Sequence, residues 1–289
     1  MSELEVDELL VPPSPSSIDL ERYDPKWKAG LGGKHESRKR LDGDAKRLSE
    51  LHDVFATQTK HALLIVLQGM DTAGKDGIIK HVMSGMNPQG VDVVSFRQPT
   101  EEERRHDFLW RESKVLPARG RIAIFNRSYY EEVLVVRVQP ALLASEDQSR
   151  PCDWNARYED INAFERHLAR SGTIVLKFFL HISKDEQRKR LLARLENPEK
   201  MWKASDADLE GHQRWDDYVA AYREMLEQTS TEWAPWYVVP SDRKWVARAV
   251  VAAVVVDALE KLDLSYPEPT AERRQRYARL AERLKSEAE

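Results

Sequence analysis

Short apolar runs alternate with longer amphipathic segments along the centre of the chain. The runs lie at Leu63–Leu67, Val91–Phe96, Ile122–Phe125, Thr173–Ile182 and Trp236–Val239. Strands that are apolar along their whole length and are joined through helices are typical of a parallel sheet covered on both faces. The pattern therefore predicts an α/β protein in three layers, with a five-stranded parallel sheet between two layers of helices.

Segments with the helical period fill the intervals between these runs. They predict helices at Arg38–Lys60, Lys75–Met86, Glu101–Leu116, Ser128–Val138, Tyr158–Ser171, Lys184–Leu195, Asp206–Gln228, Lys244–Leu262 and Thr270–Ala288. We expect an extended or disordered tail at 1–20, a helical arm at 21–60, the main domain at 61–265 and a separate C-terminal helix at 266–289.

Composition narrows the class of protein. The 289 residues carry a formal net charge of -4, which does not indicate a general nucleic-acid binder. A single cysteine, Cys152, excludes an internal disulfide and fits a reducing compartment. The N-terminus lacks a signal-peptide pattern, and the longest apolar stretch, Ala247–Leu259, is too short to cross a bilayer. We expect a cytoplasmic protein without a membrane partner.

A glycine loop follows the first apolar run. Gly69, Gly74 and Lys75 have the G-x-x-x-x-G-K spacing of a phosphate-binding loop, placed between a strand and a helix as that motif requires. Backbone N–H groups of such a loop turn towards a phosphate, and the helix adds its positive end. Lys75 is predicted to reach the outer phosphates.

Two carboxylates make this loop unusual. Asp76 stands where Ser or Thr normally holds Mg²⁺, and Asp71 lies inside the loop. Such charges would repel phosphate unless cations lie between them, so the loop points to a metal and to an unusual phosphate donor. Asp71 is a candidate base or Mg²⁺ ligand, or else a cap of the loop. Asp76 is either a metal-shell residue or a favourable charge at a helix start.

Polar residues also follow the second and third strands, where ligands bind in open parallel sheets. Arg127 after the third strand would stabilise charge on a transferring phosphoryl group. Asn126 is a candidate for orienting water or capping a helix, and Glu131 for facing an acceptor nucleotide or a metal. Arg97 after the second strand is either a phosphate ligand or a surface residue.

A basic segment follows the fourth strand, at about 184–210. It is either a solvated helix or a lid that closes over phosphates and excludes water, which is the interpretation we favour. Arg188 and Arg194 are the residues that we expect to face inwards.

Five stretches in this order resemble the polyphosphate kinase type 2 family. They are GMDTAGKDG, FRQPTEEERRHDFLWR, IFNRSYYEEVLVVRV, SKDEQRKRLLARLENPEKMWK and APWYVVPSDRKWVAR, and the similarity runs from about residue 34 to about residue 262. The resemblance implies a thymidylate-kinase-like phosphate-loop fold with a helical lid. It also implies Mg²⁺-dependent phosphoryl transfer between inorganic polyphosphate and a nucleotide. Many members have Asp at position 126 and Asn at position 131; the form found here resembles the subgroup that accepts nucleoside monophosphates as well as diphosphates.

By position, Asp71 and Lys75 match the loop of that family, Arg127 its arginine after the third strand, and Arg188 to Arg194 its lid. Together with the residue types themselves, these matches predict the roles of the site residues. Asp71, Lys75, Arg127 and Glu131 are the expected catalytic residues, and Asp71 is the expected ligand of Mg²⁺, with Mn²⁺ as an alternative. Nucleotide is expected to contact Asp71, Asn126, Arg127 and Glu131. Phosphate or polyphosphate is expected to contact Gly69, Thr72, Ala73, Gly74, Lys75, Asp76, Arg97, Arg127, Arg188, Arg194 and Lys203. The acceptors would be AMP and ADP, with GMP and GDP as further candidates, in a reversible reaction.

Two alternatives use the same fold. One is an ATP-dependent nucleotide or small-molecule kinase, and the other is a nucleotide-binding switch without turnover. The acidic loop and the basic lid argue against both, because they suit many phosphates and a bridging metal. The resemblance also implies a dimer or tetramer.

Overall fold

The architecture is that of a parallel sheet between helices, as seen in a computed structural model that describes residues 4–14, 17–139 and 153–287. The strands are β1 (Ala62–Gln68), β2 (Val91–Ser95), β3 (Ile122–Asn126), β4 (Thr173–His181) and β5 (Trp236–Pro240). They are all parallel, in the order β2-β3-β1-β4-β5. The predicted five-stranded parallel sheet is confirmed. Cys152 lies outside the described residues.

Helices cover the two faces of this sheet. They are α1 (Lys34–Gln58), α2 (Lys75–Val82), α3 (Trp110–Ser113), α4 (Val135–Val138), α5 (Trp154–Arg170), α6 (Lys184–Leu195), α7 (Asp206–Gln213), α8 (Trp215–Thr229), α9 (Lys244–Glu260) and α10 (Ala271–Ser286). The first group, α1, α2 and α9, packs together, and α4, α5 and α8 form the second. All seven residues of β1 are buried between these layers, which explains why its first six residues, Ala62–Leu67, are all apolar.

The single helix predicted at Glu101–Leu116 is wrong. A 3₁₀ turn at Glu103–Arg105 and the short helix α3 occupy this segment instead. Side chains capture the backbone in local turns: the Asp107 carboxylate accepts the N–H of Leu109, and Glu103 accepts the N–H of Thr100. Without a long helix above it, β2 stays partly open, and Val93 is 49% exposed.

Other helix boundaries also differ from the prediction. Ser128–Val138 is a 3₁₀ helix at Tyr129–Val133 followed by α4, and the predicted helix Asp206–Gln228 is divided at Arg214 into α7 and α8. The Arg214 guanidinium donates to the carbonyl of Val138 at 2.7 Å, which ties this break to the end of α4.

The two ends of the described chain behave differently. Residues 4–14 run beside the edge strand β5, where Val11 donates its N–H to the Trp236 carbonyl and its side chain is fully buried. Every residue of α10 is exposed. Within the described residues, no helix has both the length and the apolar character needed to cross a membrane.

Candidate active site

The register of the sheet brings three predicted loops to one edge. Leu67 of β1 and Ser95 of β2 both pair with Asn126, the last residue of β3. The loops that begin at Gly69, Arg97 and Arg127 therefore leave neighbouring strands at the same level. This edge is the carboxyl end of a parallel sheet, where such folds bind ligands.

The glycine loop has the backbone that its sequence requires. Gly69 has φ of +151°, and a Cβ there would lie 2.9 Å from the Leu180 carbonyl oxygen, so a side chain is excluded. Lys75 opens α2 and donates to the carbonyls of Gly69 and Met70. Burial, followed by the charge of Arg127, lowers the pKa of Lys75 to about 8. A buried ammonium beside another cation is stabilised by an incoming phosphate.

Arg127 lies between two carboxylates. Its Nη2 is 2.6 Å from Asp71 Oδ1, and its Nη1 is 2.8 Å from Glu131 Oε2. The negative charge of Glu131 has the largest effect and raises the pKa of Arg127. Burial opposes this rise, and the charge of Asp71 adds to it. The residue has a left-handed φ of +66°, which is rare outside glycine and is found disproportionately at functional sites. The structure thus joins three of the predicted catalytic residues in one ion-paired group.

Asp76 connects the loop, the third strand and the lid. Its Oδ1 accepts from the Asn126 amide at 3.0 Å, and its Oδ2 is 3.1 Å from Lys203 Nζ. This geometry adds a third possibility to the two predicted for Asp76: a contact that ties the loop to the segment at about 184–210, which is predicted to be a lid. Asn126 serves as a hydrogen-bond donor here.

A cationic groove of about 450 Å³ runs between the loop and the segment predicted to be a lid. Among the described residues, eight cationic side chains and two carboxylates line it, the cations being Lys75, Arg127, Arg190, Arg194, Lys200, Lys203, Lys244 and Arg248. Burial and the neighbouring cations Arg190, Lys200 and Arg248 lower the pKa of Lys244. Like charges that are crowded in this way repel one another, so an anion bound in the groove relieves the repulsion.

Sequence reasoning missed four of these cations, namely Arg190, Lys200, Lys244 and Arg248. Lys200 stands in the lid, while Lys244 and Arg248 belong to the first two turns of α9. A signal for Lys244 and Arg248 was available in the sequence. They follow the fifth strand, which ends at the same edge of the sheet as the other strands. Arg97 does not line the groove; it lines a separate cavity, which also includes Phe96 and Phe108.

The lid arginines have three different environments. Arg194 lines the groove and is 2.8 Å from Asp208. Arg188, predicted to face inwards, is 60% exposed and contacts Asp185, its neighbour one turn earlier on α6. Arg190, two positions further along α6, is the residue that faces inwards and lines the groove. Arg190 Nη1 donates to the Thr72 carbonyl at 2.9 Å, and Nη2 donates to the Ser241 carbonyl at 2.8 Å.

A second cavity, of about 390 Å³, lies on the other side of Arg127. Its lining combines aromatic and aliphatic side chains with polar groups and includes Phe96, Arg97, Phe108, Arg111, Glu131, Val135, Tyr218 and Tyr222. Asp71 and Arg127 line both this cavity and the groove. The two spaces therefore meet at the Asp71–Arg127 ion pair.

A buried polar cluster supports the segment after Arg127. Lys177 and Glu165 are both fully buried and form an ion pair of 2.7 Å. The hydroxyls of Tyr129 and Tyr130 each donate to Glu165 Oε1 at 2.8 Å. Because every polar group in this cluster has a partner, it fixes the backbone two residues beyond Arg127. One lysine within an apolar strand was its only signal in the sequence.

The carboxylates of the site do not form a complete metal cage. Within the described ranges, no group of three or more His, Cys, Asp or Glu side chains is arranged to hold a metal. Mg²⁺ in phosphoryl-transfer sites is usually held by one or two carboxylates, by water and by substrate phosphates. Asp71, half-buried where the two cavities meet, fits that kind of ligand set.

Comparison with known proteins agrees with this geometry. The chain is 48% identical over 272 residues to a Rhodopseudomonas palustris protein named ADP-polyphosphate phosphotransferase, covering 92% of this chain and 94% of that protein. It is 46% identical over 253 residues to a Meiothermus ruber protein named AMP/ADP-polyphosphate phosphotransferase, covering 87% and 92%.

A solved structure is similar along almost the whole chain. The crystal structure of polyphosphate kinase 2 from Arthrobacter aurescens matches with a TM-score of 0.88 and 41% identity, covering 97% of this chain and 98% of that one. Residues 32–267 match the family model described as polyphosphate kinase 2. Together with a phosphate loop that opens into a cationic groove, these matches show that the chain belongs to the polyphosphate kinase 2 family.

Proposed function

We propose that this protein transfers the terminal phosphoryl group of inorganic polyphosphate to nucleoside mono- and diphosphates. AMP and ADP are the proposed acceptors, with GMP and GDP as further ones, and the reaction is reversible. The observation that carries this proposal is the meeting of the cationic groove and the aromatic cavity at Asp71 and Arg127. Donor and acceptor bound in these two spaces approach each other at one ion pair.

Each space suits one substrate. The described side chains that line the groove carry an excess of six positive charges, and none of them is aromatic. It therefore suits a linear polyanion better than a nucleotide base. The second cavity has Phe96, Phe108 and two tyrosines in its lining, as expected for a site that binds a purine ring, and Arg111 and Arg127 for its phosphates.

Arg127 and Lys75 stabilise the charge on the transferred group. Phosphoryl transfer needs alignment and charge neutralisation rather than covalent chemistry from the protein. Arg127 is already oriented by Asp71 and Glu131, so little reorganisation is needed when phosphate arrives. The lid, held over the groove through Lys203 and Asp76, excludes water so that transfer outcompetes hydrolysis.

Asp71 is the proposed ligand of Mg²⁺, with Mn²⁺ as a substitute. The ion would neutralise phosphate oxygens that would otherwise repel Asp71 and Asp76. The chain's own contribution is to place one carboxylate where both cavities meet.

The test is a transfer assay with a defined donor. The protein is incubated with Mg²⁺, long-chain polyphosphate and either AMP or ADP, and nucleotides are separated by ion-exchange chromatography. With polyphosphate, AMP is expected to give ADP and ADP is expected to give ATP, and neither product should form when the polyphosphate has been pretreated with an exopolyphosphatase. Transfer from ATP to AMP without any use of polyphosphate would instead support an ordinary nucleotide kinase.

We further propose that α10 contributes to a homo-oligomer. Tyr277, Leu280 and Leu284 form one exposed apolar stripe, at 54%, 43% and 68% exposure. The helix carries six cationic and two anionic residues, whereas the rest of the chain has a net charge of -8. A second copy of this chain therefore offers the complementary charge. Light scattering should show a dimer or tetramer for the wild type and a smaller species for Leu280→Glu/Leu284→Glu, with Gln275→Glu as the control.

A further inference from the structure

Glu112 is a buried carboxylate that is incompletely partnered. It lies on α3, its side chain is 0% exposed, and its Oε1 accepts from Arg111 Nε at 3.1 Å. Its Oε2 has no hydrogen-bond partner among the described residues. An unpaired buried oxygen of this kind destabilises a fold, so its presence calls for a reason other than stability.

Arg111, the partner of Glu112, is part of the wall of the second cavity, where we propose that the acceptor nucleotide binds. Arg111 Nη1 donates to the Arg97 carbonyl at 2.9 Å, and the guanidinium carbon lies 5.2 Å from the centre of the Phe96 ring. Phe96, Arg97 and Arg111 all line the cavity. Nη2 makes none of the hydrogen bonds found among the described residues. Three contacts thus fix the guanidinium, and one edge of it stays available to a ligand.

The charges that surround Glu112 act in opposite directions. Burial raises the pKa of Glu112 to about 7, Arg111 opposes this rise and Glu132 adds to it. Tyr129, on the 3₁₀ helix packed nearby, also interacts with the carboxylate. A folded-state pKa above that of the unfolded chain means that the ionised carboxylate lowers stability as the pH rises from about 4.5 towards 7.

We propose that Glu112 is a positioning residue for the acceptor nucleotide. Its carboxylate holds the Arg111 guanidinium against Phe96, so that the Nη2 edge faces an anionic group of the nucleotide. This inference rests on the proposed function of the cavity. It explains why a carboxylate that costs stability is kept directly behind the wall of a binding site.

Glu112→Gln tests the proposal because it keeps the shape of the side chain and removes the charge. At pH 8 we expect KM for AMP to rise roughly five- to twenty-fold, since a charge-assisted hydrogen bond to Arg111 is weakened. The value of kcat should stay within about twofold, because neither residue lines the groove where the donor binds, and KM for polyphosphate should not change. Ser113→Ala, on the same helix, is the control and should leave both KM values unchanged.

Two readouts separate positioning from a purely structural role. The thermal midpoint of Glu112→Gln at pH 8 should equal or exceed that of the wild type, because the buried charge is gone. The ratio of the KM values of variant and wild type for AMP should fall as the pH is lowered from 8 to 6, where wild-type Glu112 takes up a proton. Titration of AMP itself cancels in this ratio.

A double-mutant cycle supplies the decisive comparison. In an Arg111→Met background, Glu112→Gln should have no further effect on KM for AMP. Unchanged KM in the single Glu112→Gln variant, or a loss of kcat and thermal stability without a change in KM, would overturn the proposal. Calorimetric titration with AMP alone separates it from the proposed function: weaker binding by Glu112→Gln supports positioning even if polyphosphate proves not to be the donor.

Discussion

Replacing Arg127 by Lys tests the core of the proposed chemistry. Lysine keeps the positive charge but has no fork, so it cannot contact Asp71 and Glu131 at the same time. In the structure two nitrogens of one guanidinium reach these carboxylates at 2.6 and 2.8 Å. The variant therefore changes orientation much more than it changes charge.

The size of the effect follows from the contacts that are lost. Each hydrogen bond to a charged group contributes about 1.5–3 kcal/mol, and Lys retains only one of the two. The loss corresponds to a decrease in kcat/KM of roughly 10- to 150-fold, at 1.4 kcal/mol for each factor of ten. Arg127→Ala loses both contacts and leaves two carboxylates facing the donor; its decrease should approach the roughly 10³- to 10⁵-fold effect of removing a catalytic arginine.

The assay is polyphosphate-driven ATP formation from ADP, followed by coupled luminescence. Arg188→Ala is the matched control, because Arg188 is an exposed arginine on the lid helix and contacts only Asp185 at 3.6 Å among the ion pairs described. Near-normal turnover by both Arg127 variants, with Arg188→Ala impaired, would refute the assignment of these two residues. Thermal unfolding of all variants should agree within a few degrees.

Three further predictions concern the supports of the site. Lys177→Met leaves Glu165 buried without a counter-charge and should lower the free energy of unfolding by about 3–5 kcal/mol in urea denaturation, whereas adding Glu165→Gln should recover a large part of the loss. Asp76→Asn frees Lys203 and removes a charge that repels the donor; it should lower KM for polyphosphate at low salt, and a collapse of kcat instead would indicate a metal ligand. Burial lowers the pKa of His181 to about 4. The contribution of the neutral imidazole to the free energy of unfolding is therefore complete above about pH 6.5 and is lost as the pH falls towards 4. In urea denaturation, the free energy of unfolding of His181→Gln should fall less between pH 7 and 5 than that of the wild type, by about 1–2 kcal/mol.

Sequence patterns predicted the sheet well because its signal is local. The strands are short and mainly apolar, and in β1 burial on both faces makes the apolar run continuous. The segment from Glu101 to Leu116 failed for a local reason too. Its helical period was real, but the Asp107 and Glu103 side chains captured backbone N–H groups in turns, which periodicity does not detect.

The candidate site was only partly predictable because its side chains meet through tertiary structure. Residues directly after strands, such as Asp71 and Arg127, were accessible to reasoning, since parallel strands end at one edge. Lys244 and Arg248 reach the groove only because α9 lies beside α2. For Arg188 and Arg190, two positions apart on one helix, the choice of the inward residue depended on how α6 docks.

Arg190 anchors α6 to the body of the protein. Its guanidinium ties the middle of α6 to the phosphate loop through Thr72 and to the end of β5 through Ser241, and its side chain is only 9% exposed. The first half of α6 is therefore part of the rigid body that carries the loop. We therefore expect any movement that admits a long polyanion to be confined to the chain beyond Arg190, with Lys203 leaving Asp76 while the phosphate loop keeps its shape.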